Sequence, residues 1–440
     1  MEAKRKVLII TYYWPPSGGS GVQRWLKFVK YLREFGWEPI VYTPENPEFP
    51  AIDPSLEKDI PNGIEVLRRP IWEPYSLYKR LTGRKKTDQL GAGFASEKKG
   101  IGKTEQLSRW IRGNIFIPDA RRFWIRPSVR YLKQWLKQHP VDTIVSTGPP
   151  HSMHLIALRL KEELGIPWLA DFRDPWTNID FYEDLLPGKR ADRLHHELEK
   201  KVITTADIVT VVSPTMQKEF EASYQANIHT LTNGFDEEDL HDVEPLPTMD
   251  SRFSIAHIGT MNASRKPETL FKVIADLSRD GTINPSNFVL RLIGRVDYSI
   301  TELIQKYQLE SVVELIPYVP HQEVIRWQKG ASCLLLLLNQ SQNAKGILPG
   351  KFFEYMASKV PILCLGPEDS DAAGILAQTH TGVCLEYDDE QTLKDYLVNK
   401  IDSDRLESVI GDDVSDSVNS YSRRNLSSIL AQHLQTMILQ

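Results

Sequence analysis

The sequence has few cysteines, no long apolar run and little net charge. Its three cysteines, Cys333, Cys364 and Cys384, are too few among 440 residues for a disulfide framework, and each lies in an apolar, strand-like segment. We expect buried thiols in a reducing compartment, and therefore a cytoplasmic protein. The longest purely apolar run covers residues 333–338, whereas a membrane-spanning helix needs about 20 such residues. The 53 basic and 58 acidic residues leave a formal net charge of −5, which gives no electrostatic reason to expect a nucleic-acid partner.

Common motifs for cofactors and metals are lacking as well. The glycine-rich loop at residues 14–21 fits neither the GxGxxG pattern of dinucleotide-binding domains nor the P-loop, so a dehydrogenase is the least expected activity. Segments 369–371 and 402–404 both read Asp-Ser-Asp, but they lie in acidic, turn-like surroundings. We interpret them as solvated loops, and we expect no metal site and no cofactor.

Strands and helices alternate along almost the whole chain. Short, continuous apolar runs are typical of buried strands, and helical apolar spacing lies between most of them. The predicted strands are 7–11, 39–42, 64–67, 143–146, 168–170 and 208–212 in the first half, and 253–258, 288–293, 312–316, 333–338 and 361–365 in the second. This alternation predicts an α/β fold with parallel sheets that helices cover on both faces.

An acidic, proline-containing segment at 237–252 interrupts the alternation and predicts a linker. We therefore predict two tandem doubly wound, Rossmann-like domains, residues 1–236 and 253–420, with a C-terminal helix at 421–440 that could return to the first domain. The basic residues 4–6 resemble the start of a signal peptide, but the apolar run after them is short and no small-residue cleavage site follows. We interpret this segment as the first strand.

The stretch 98–137 has an unusual composition, with eleven basic residues, two acidic residues and interleaved aromatic side chains that include Trp110, Phe116, Phe123, Trp124 and Trp135. Val129, Leu132 and Leu136 give its last part a helical apolar stripe. Two interpretations stay open. The stretch is either a helix of the first domain whose stripe faces the core, or a surface for an anionic membrane or an anionic acceptor.

Candidate ligand-binding residues in the first half follow the predicted strands. Gly18, Gly19 and Gly21 precede a helix, where backbone N–H groups and the helix dipole favour an anion, although a tight turn without a ligand is the alternative. Asp171 and Arg173 follow the strand 168–170, at the sheet edge where ligands bind in parallel sheets. A salt-bridged turn is the plain alternative for this pair.

Two histidines follow another strand of the first half. His151 and His154 come after Gly148-Pro149-Pro150, with His151 near a helix start and His154 one turn later. They are either candidate functional side chains or ordinary histidines at the start of a helix.

The second half contains a cationic pair and a glycine-bearing loop. Arg265 and Lys266 stand directly before a helix, which suits a diphosphate. Gly350 and Lys351 begin another predicted helix, where the dipole disfavours a cation unless an anion is bound. Glu354, one turn later, could accept two hydroxyl hydrogen bonds from a sugar.

Five motifs in this order resemble the bacterial glycosyltransferase family 4, the "group 1" sugar-nucleotide transferases with the GT-B fold. They occupy residues 12–26, 146–176, 213–234, 258–270 and 346–361. The resemblance implies two domains that face each other across a cleft, with the acceptor in the first and a nucleoside diphosphate sugar in the second. It also implies retention of the anomeric configuration without a divalent metal.

By position, the resemblance implies that Arg265 and Lys266 hold the diphosphate, that Glu354 holds the ribose hydroxyls, and that the loop around Gly19 faces the donor. The chain departs from the family where a second glutamate commonly stands, because Gly346 occupies the position eight residues before Glu354. Thr260 likewise stands where the family often has arginine.

Three residues are candidates for the position near the anomeric centre: His151, Asp171 and Arg173. The resemblance therefore predicts a retaining glycosyltransferase that acts on a polysaccharide, lipopolysaccharide or lipid-linked glycan. Peripheral contact with an anionic membrane, at the inner face of the cell membrane, is the expectation if the basic stretch 98–137 is a membrane surface. The alternatives are a sugar-nucleotide epimerase or hydrolase on the same fold, and an inactive scaffold of a polysaccharide assembly complex.

Overall fold

The structure is a computed structural model that describes residues 4–49, 51–74, 103–180, 182–240, 243–246, 252–341, 343–402 and 415–439. The chain forms two compact units, one of Met1–Thr232 with Leu426–Gln440 and one of Asn233–Asn425. Both contain a parallel sheet between helices, which confirms the predicted α/β class with two Rossmann-like domains.

The first unit is built on a seven-stranded parallel sheet with the strand order β3-β2-β1-β4-β5-β6-β7. Its strands are Arg5–Ile10 (β1), Trp37–Pro44 (β2), Glu65–Arg69 (β3), Thr143–Gly148 (β4), Trp168–Phe172 (β5), Ile208–Val211 (β6) and Ile228–Thr230 (β7). The order runs outward from β1 in one direction and from β4 in the other. The carboxyl ends of β1 and β4 therefore flank the switch point at which doubly wound sheets bind ligands.

The helices of this unit are Ser20–Leu32 (α1), Lys103–Asn114 (α2), Arg122–Gln138 (α3), Ser152–Leu164 (α4), Lys189–Thr205 (α5) and Pro214–Ser223 (α6). The apolar stripe of α3 faces the core, since Val129, Leu132 and Leu136 are all buried. Of the two interpretations of that stripe, the core-facing one is confirmed. Residues 98–102 of the basic stretch lie outside the described residues.

The second unit has a six-stranded parallel sheet with the order β10-β9-β8-β11-β12-β13. Its strands are Phe253–Ile258 (β8), Phe288–Ile293 (β9), Val313–Ile316 (β10), Cys333–Leu337 (β11), Ile362–Leu365 (β12) and Gly382–Leu385 (β13). Its helices are Glu268–Arg279 (α7), Tyr298–Lys306 (α8), His321–Lys329 (α9), Gly350–Ala357 (α10), Asp371–Thr379 (α11), Glu390–Asp402 (α12) and Ser415–Asn419 (α13). Here the switch point lies between β8 and β11.

The last helix is Arg423–Leu439 (α14). Its residues Leu426, Leu430 and Leu434 are buried in the core of the first unit, in one cluster with the β1 residues Val7 and Ile9. Apolar side chains at i, i+4 and i+8 form one face of a helix, so this face supplies part of that core.

The structure also settles two smaller expectations. The three cysteines are free thiols, with Cys333 and Cys364 buried and Cys384 partly buried. The segment 369–371 serves as a helix start, because Ser370 caps α11 through the backbone N–H of Ala373. Among the described residues, no helix is long and apolar enough to cross a membrane.

Candidate functional site

The candidate site of the second unit lies where β8 and β11 end. The loop after β8 leads to Arg265, and the loop after β11 contains Asn339 and leads into α10. The Nε of Arg265 donates to the Oδ1 of Asn339 at 2.7 Å, which connects the two loops. Because these strands flank the switch point of the sheet, this is the position at which a ligand is expected.

Lys351 stands in the first turn of α10, as the sequence predicts, and its ammonium group is held by neutral partners. Its Nζ donates to the backbone oxygen of Ile258 at 3.3 Å and lies 3.2 Å from the Nε2 of His257. The Nδ1 of His257 is 3.0 Å from the carbonyl oxygen of Leu335, so Nδ1 carries the proton and Nε2 accepts from Lys351. No carboxylate is needed to hold the ammonium group in this orientation.

The positive charge of Arg265 acts on Lys351 at this edge of the sheet. Burial, followed by the positive charge of Arg265, lowers the pKa of Lys351 to about 7, although the charge of Glu354 opposes the shift. Burial also lowers the pKa of Arg265. A bound anion would stabilise both positive charges, and the N-terminus of α10 would add its dipole.

The charges of Arg265 and Lys266 act on different groups. The charge of Lys266 helps to lower the pKa of Glu268 and of Asp297, which stand at the starts of α7 and α8. The charge of Arg265 helps to lower the pKa of Lys351, 86 positions later in the sequence, and of His257.

Gly350 and Glu354 lie on the same short helix as Lys351. A Cβ atom at Gly350 would have no atom within 4 Å, so this helix start is open. Glu354 is partly buried one turn later. The hydroxyl of Tyr355 accepts the backbone N–H of Ile258 at 2.9 Å and thereby fixes α10 against the end of β8.

Gly346 ends the short 3₁₀ turn Ala344–Gly346, with its N–H bonded to the oxygen of Asn343. The adjacent Lys345 pairs with Asp369 at 2.5 Å. Gly346 therefore supplies no carboxylate at the position where the family commonly has a glutamate.

In the first unit, Asp171 is fully buried. Its carboxylate forms a 2.8 Å ion pair with Arg24 of α1 and accepts five hydrogen bonds in all, from Arg24, Trp25, Thr147 and Thr210. Burial alone would raise the pKa of Asp171, but the charge of Arg24 and these hydrogen bonds lower it below its ordinary value. The carboxylate stays ionised, and its oxygens are occupied within the core.

Arg24 extends this network to the end of the first unit. Its guanidinium donates to the backbone oxygens of Leu231 and Thr232 at 2.8 and 2.7 Å. The buried ion pair therefore fixes α1, and with it the glycine-rich loop, to β5 and to the chain after β7.

Arg173 joins the two loops at the switch point. Its guanidinium donates to the oxygen of Gly21 at 2.7 Å and to the oxygen of Pro149. The first contact lies in the glycine-rich loop and the second in the loop after β4. Arg173 thus orders the backbone of this edge of the sheet.

Two of the three residues left open for the anomeric centre, His151 and Arg173, have a buried side-chain nitrogen without a hydrogen-bond partner among the described residues. The guanidinium of Arg173 is otherwise hydrogen-bonded to the backbone. His151 is 8% exposed and stacks on Trp176, with ring centroids 4.6 Å apart and planes inclined by 6°. In the described part of the chain, neither its Nδ1 nor the Nε2 of His154 has a hydrogen-bond partner. Burial, followed by the charges of His154 and Arg173, lowers the pKa of His151 well below its usual value, so the ring is neutral.

The glycines of the first loop are required by the backbone and by packing. Gly19 has φ +91° and precedes the first turn of α1, where side chains are strained. A Cβ at Gly18 would lie 3.0 Å from the side chain of Asp53, and one at Gly21 would lie 3.1 Å from Arg173. The loop therefore forms the tight turn that was one of its two interpretations. It also places a helix N-terminus, which favours an anion, at the switch point.

Sequence reasoning missed several residues that build these sites, among them His257, Asn339, Tyr355 and Arg24. His257 carried a usable signal, because it is a single polar residue inside an apolar strand. The sequence contains no comparable signal for Asn339 or Arg24, because their hydrogen-bond partners come from distant segments.

Two family models together match nearly the whole chain. The glycosyl transferase 4-like domain matches residues 18–234, and the model described as glycosyl transferases group 1 matches residues 241–411. No curated protein sequence matches the chain significantly.

Solved structures share the fold at low sequence identity. Sucrose-phosphate synthase from Thermosynechococcus elongatus is 14% identical with a TM-score of 0.62, and 99% of each chain is covered. Anabaena HepE, solved in complex with UDP-glucose, is 13% identical with a TM-score of 0.58, and 98% of this chain and 99% of that chain are covered. A variant of S. aureus TarM, solved with fondaparinux, alpha-GlcNAc-glycerol and UDP, is 12% identical with a TM-score of 0.59, and 99% of this chain and 100% of that chain are covered. With its two Rossmann-like domains of the GT-B fold and its two matching family models, the chain belongs to the group 1 glycosyltransferases, family 4.

Proposed function

We propose that the protein is a retaining glycosyltransferase that takes a sugar from a nucleoside diphosphate sugar. The acceptor is a hydroxyl group of a polysaccharide, a lipopolysaccharide or a lipid-linked glycan. The observation that carries this proposal is the open start of α10, where the loops after β8 and β11 are joined by the Arg265–Asn339 hydrogen bond and where the charge of Arg265 acts on Lys351. HepE and TarM, which share the fold, were solved with UDP-glucose and with UDP.

The chemistry needs stabilisation of a leaving diphosphate and of an oxocarbenium-like sugar. Arg265 and Lys351 supply two positive charges for the diphosphate, and the N–H groups at the start of α10 supply a third source of positive potential. Side chains thus provide the charge that a divalent metal supplies in other sites, and we propose transfer without a metal. Glu354 accepts hydrogen bonds from the ribose hydroxyls.

We propose that the leaving diphosphate itself takes the proton of the acceptor. The bond from the anomeric carbon to the diphosphate oxygen breaks, and the bond to the acceptor oxygen forms on the same face of the sugar. Two features support this route. Asp171 is held by five hydrogen bonds in the core and is unsuited to act as a nucleophile. The neutral His151, with its low pKa, is a poor base but a suitable hydrogen-bond partner.

A screen of nucleotide sugars tests the proposal, with product analysis by NMR in the presence and absence of glycan acceptors. We expect glycoside formation that requires the acceptor, and an anomeric configuration in the product equal to that of the donor. Free sugar or an epimerised nucleotide sugar without acceptor would instead identify a hydrolase or an epimerase. Absence of binding to any nucleotide sugar in calorimetry would indicate an inactive scaffold.

A further inference from the structure

Two cysteines of the second unit stand side by side at one edge of its sheet. Cys364 of β12 and Cys384 of β13 are direct partners in the register of these parallel strands. Neighbouring strands lie about 4.7–4.9 Å apart, within the range of about 4.4–6.8 Å between the Cα atoms of disulfide-bonded cysteines. β13 is the last strand in the order of the sheet. In the part of the chain that the structure describes, it therefore pairs on one side only and can adjust toward β12.

The two thiols lie on the same face of the sheet and are in contact. Both pack in the apolar cluster that joins α10 and α11 to the strands, and their side chains form a hydrogen bond with each other. Cys333 of β11 belongs to the cluster on the opposite face, where its sulfur lies 3.5 Å from the hydroxyl of Tyr396. Cys333 therefore serves as an internal comparison for the pair.

The two thiols differ in exposure and in acidity. Cys384 is partly buried, whereas Cys364 is fully buried. The hydrogen bond from Cys364 lowers the pKa of the Cys384 thiol below its ordinary value, and one with Ser370 adds to this shift, although burial opposes it. The same bond between the cysteines, followed by burial, raises the pKa of Cys364. Cys384 is thus the more reactive thiol, because the thiolate is the nucleophile and because Cys384 can be reached from solvent.

The surroundings of Cys384 determine which oxidant can reach it. Its sulfur lies 3.6 Å from the carbonyl oxygen of Gly366, which holds it beside the loop between β12 and α11. Ser370 caps α11, and thiols at helix N-termini have lowered pKa values. The carboxylates of Glu368 and Glu386 oppose loss of the thiol proton, and both are exposed. They make this surface negative, so a small neutral oxidant has better access than an anionic one.

We propose that Cys384 and Cys364 are a redox-active pair that hydrogen peroxide converts into a disulfide. The Cys384 thiolate attacks one peroxide oxygen, so that an S–O bond forms, the O–O bond breaks and the released hydroxide takes up a proton to give water. Cys364 then gives up its proton and attacks the sulfur of the resulting sulfenic acid. The S–S bond forms, the S–O bond breaks and a second water leaves. Two thiols are thereby oxidised by two electrons, and one peroxide is reduced to two molecules of water.

The redox-active pair is connected to the candidate donor site. Tyr387 follows β13 by two residues, and its hydroxyl donates to the backbone oxygen of Asn339 at 2.8 Å. Asn339 in turn accepts the hydrogen bond of Arg265. A disulfide draws the end of β13 toward β12 and moves Tyr387, so oxidation should weaken binding of the donor. This consequence rests on the proposed function, whereas formation of the disulfide does not.

Disulfide mapping of the full chain by mass spectrometry tests the redox-active pair. After treatment with hydrogen peroxide, unfolding and alkylation, we expect the peptides of Cys364 and Cys384 to be linked, Cys333 to be alkylated, and a reductant to reverse the link. In Cys364→Ala, the sulfenic acid of Cys384 should persist and react with dimedone, because the thiol that completes the disulfide is gone. In Cys333→Ala, the matched control, the disulfide should form as in the wild type. Thermal unfolding should show that the variants are folded.

Two results would overturn the redox-active pair. One is full alkylation of Cys364 and Cys384 after peroxide treatment of the wild type. The other is a disulfide between two chains instead of one within the chain. Both are measured on the wild type, so neither depends on the folding of a variant.

Calorimetry with UDP-glucose, or with GDP-mannose if UDP-glucose does not bind, tests the effect on the donor site. The oxidised wild type should bind about fivefold more weakly than the reduced protein, which corresponds to the loss of one neutral hydrogen bond. Tyr387→Phe lacks the hydroxyl, so its affinity should be lowered without oxidation and should change little on oxidation. Equal affinity of the reduced and oxidised wild type would refute the connection to the site. Absence of binding to the reduced protein would contradict the proposed function, while the mapping would still decide on the redox-active pair.

Discussion

The pKa of Lys351 makes the proposed donor affinity depend on pH. Burial and the charge of Arg265 lower this pKa to about 7, so a large part of the free protein carries a neutral amine at neutral pH. A diphosphate binds the ammonium form, and its negative charge raises the pKa of the bound lysine. Binding therefore takes up a proton above pH 7, and affinity must fall as the pH rises.

The expected loss of donor affinity with rising pH follows from the lowered pKa of Lys351. With a free pKa of about 7 and a bound pKa above about 9, affinity should fall about a hundredfold between about pH 6 and about pH 9. Most of this loss of affinity should occur above the pKa of the free lysine, where each pH unit lowers the affinity about tenfold. The neighbouring His257 has its pKa held well below the usual value by burial and by Lys351, so it does not titrate in this range.

Calorimetry with UDP-glucose as the first probe, and GDP-mannose if it does not bind, measures this dependence. A nucleoside diphosphate sugar is preferred because its diphosphate has no free terminal group to protonate near neutral pH. Lys351→Arg keeps the charge at every pH, so it should bind with little pH dependence. Lys351→Met should bind weakly at every pH. An equal slope in the wild type and in Lys351→Arg, or an affinity that rises with pH, would refute the reasoning.

Three further predictions concern single side chains. Arg265→Ala should weaken nucleoside diphosphate binding by about 1.5–3 kcal/mol and Lys266→Ala by clearly less, because the charge of Arg265 acts on the buried Lys351; equal losses in calorimetry would contradict this reasoning. Glu354→Gln should bind a nucleoside diphosphate about tenfold to a hundredfold more weakly and lose most of the discrimination against its 2′,3′-dideoxy analogue; equal discrimination by both proteins would exclude a ribose contact. Asp171→Asn should lower the free energy of unfolding of the first unit by about 3–5 kcal/mol, because it leaves the buried charge of Arg24 without its partner. Denaturant unfolding measures this loss, and a fully stable variant would show that the ion pair is not structural.

Much of the fold could be predicted because runs of neighbouring residues indicate where strands and helices lie. Residues 7–10 of β1 are apolar without interruption, and all four are fully buried. Such runs, separated by helical spacing, predicted eleven of the thirteen strands found in the described residues. The two that were not predicted, β7 and β13, have three and four residues, with at most three consecutive apolar residues in each. Edge strands of this length leave too little pattern to be distinguished from turns.

The sequence by itself determined the α/β class, the two series of strands and the loops that carry polar residues, because period and composition are properties of neighbouring residues. It could not determine which of those polar residues meet. The charge of Arg265 acts on Lys351, and Asp171 pairs with Arg24, only because strand order brings the ends of β8 and β11, or α1 and β5, to the same edge of a sheet. That order is a long-range property of the fold, so only the tertiary structure decided which polar side chains from distant segments act on one another.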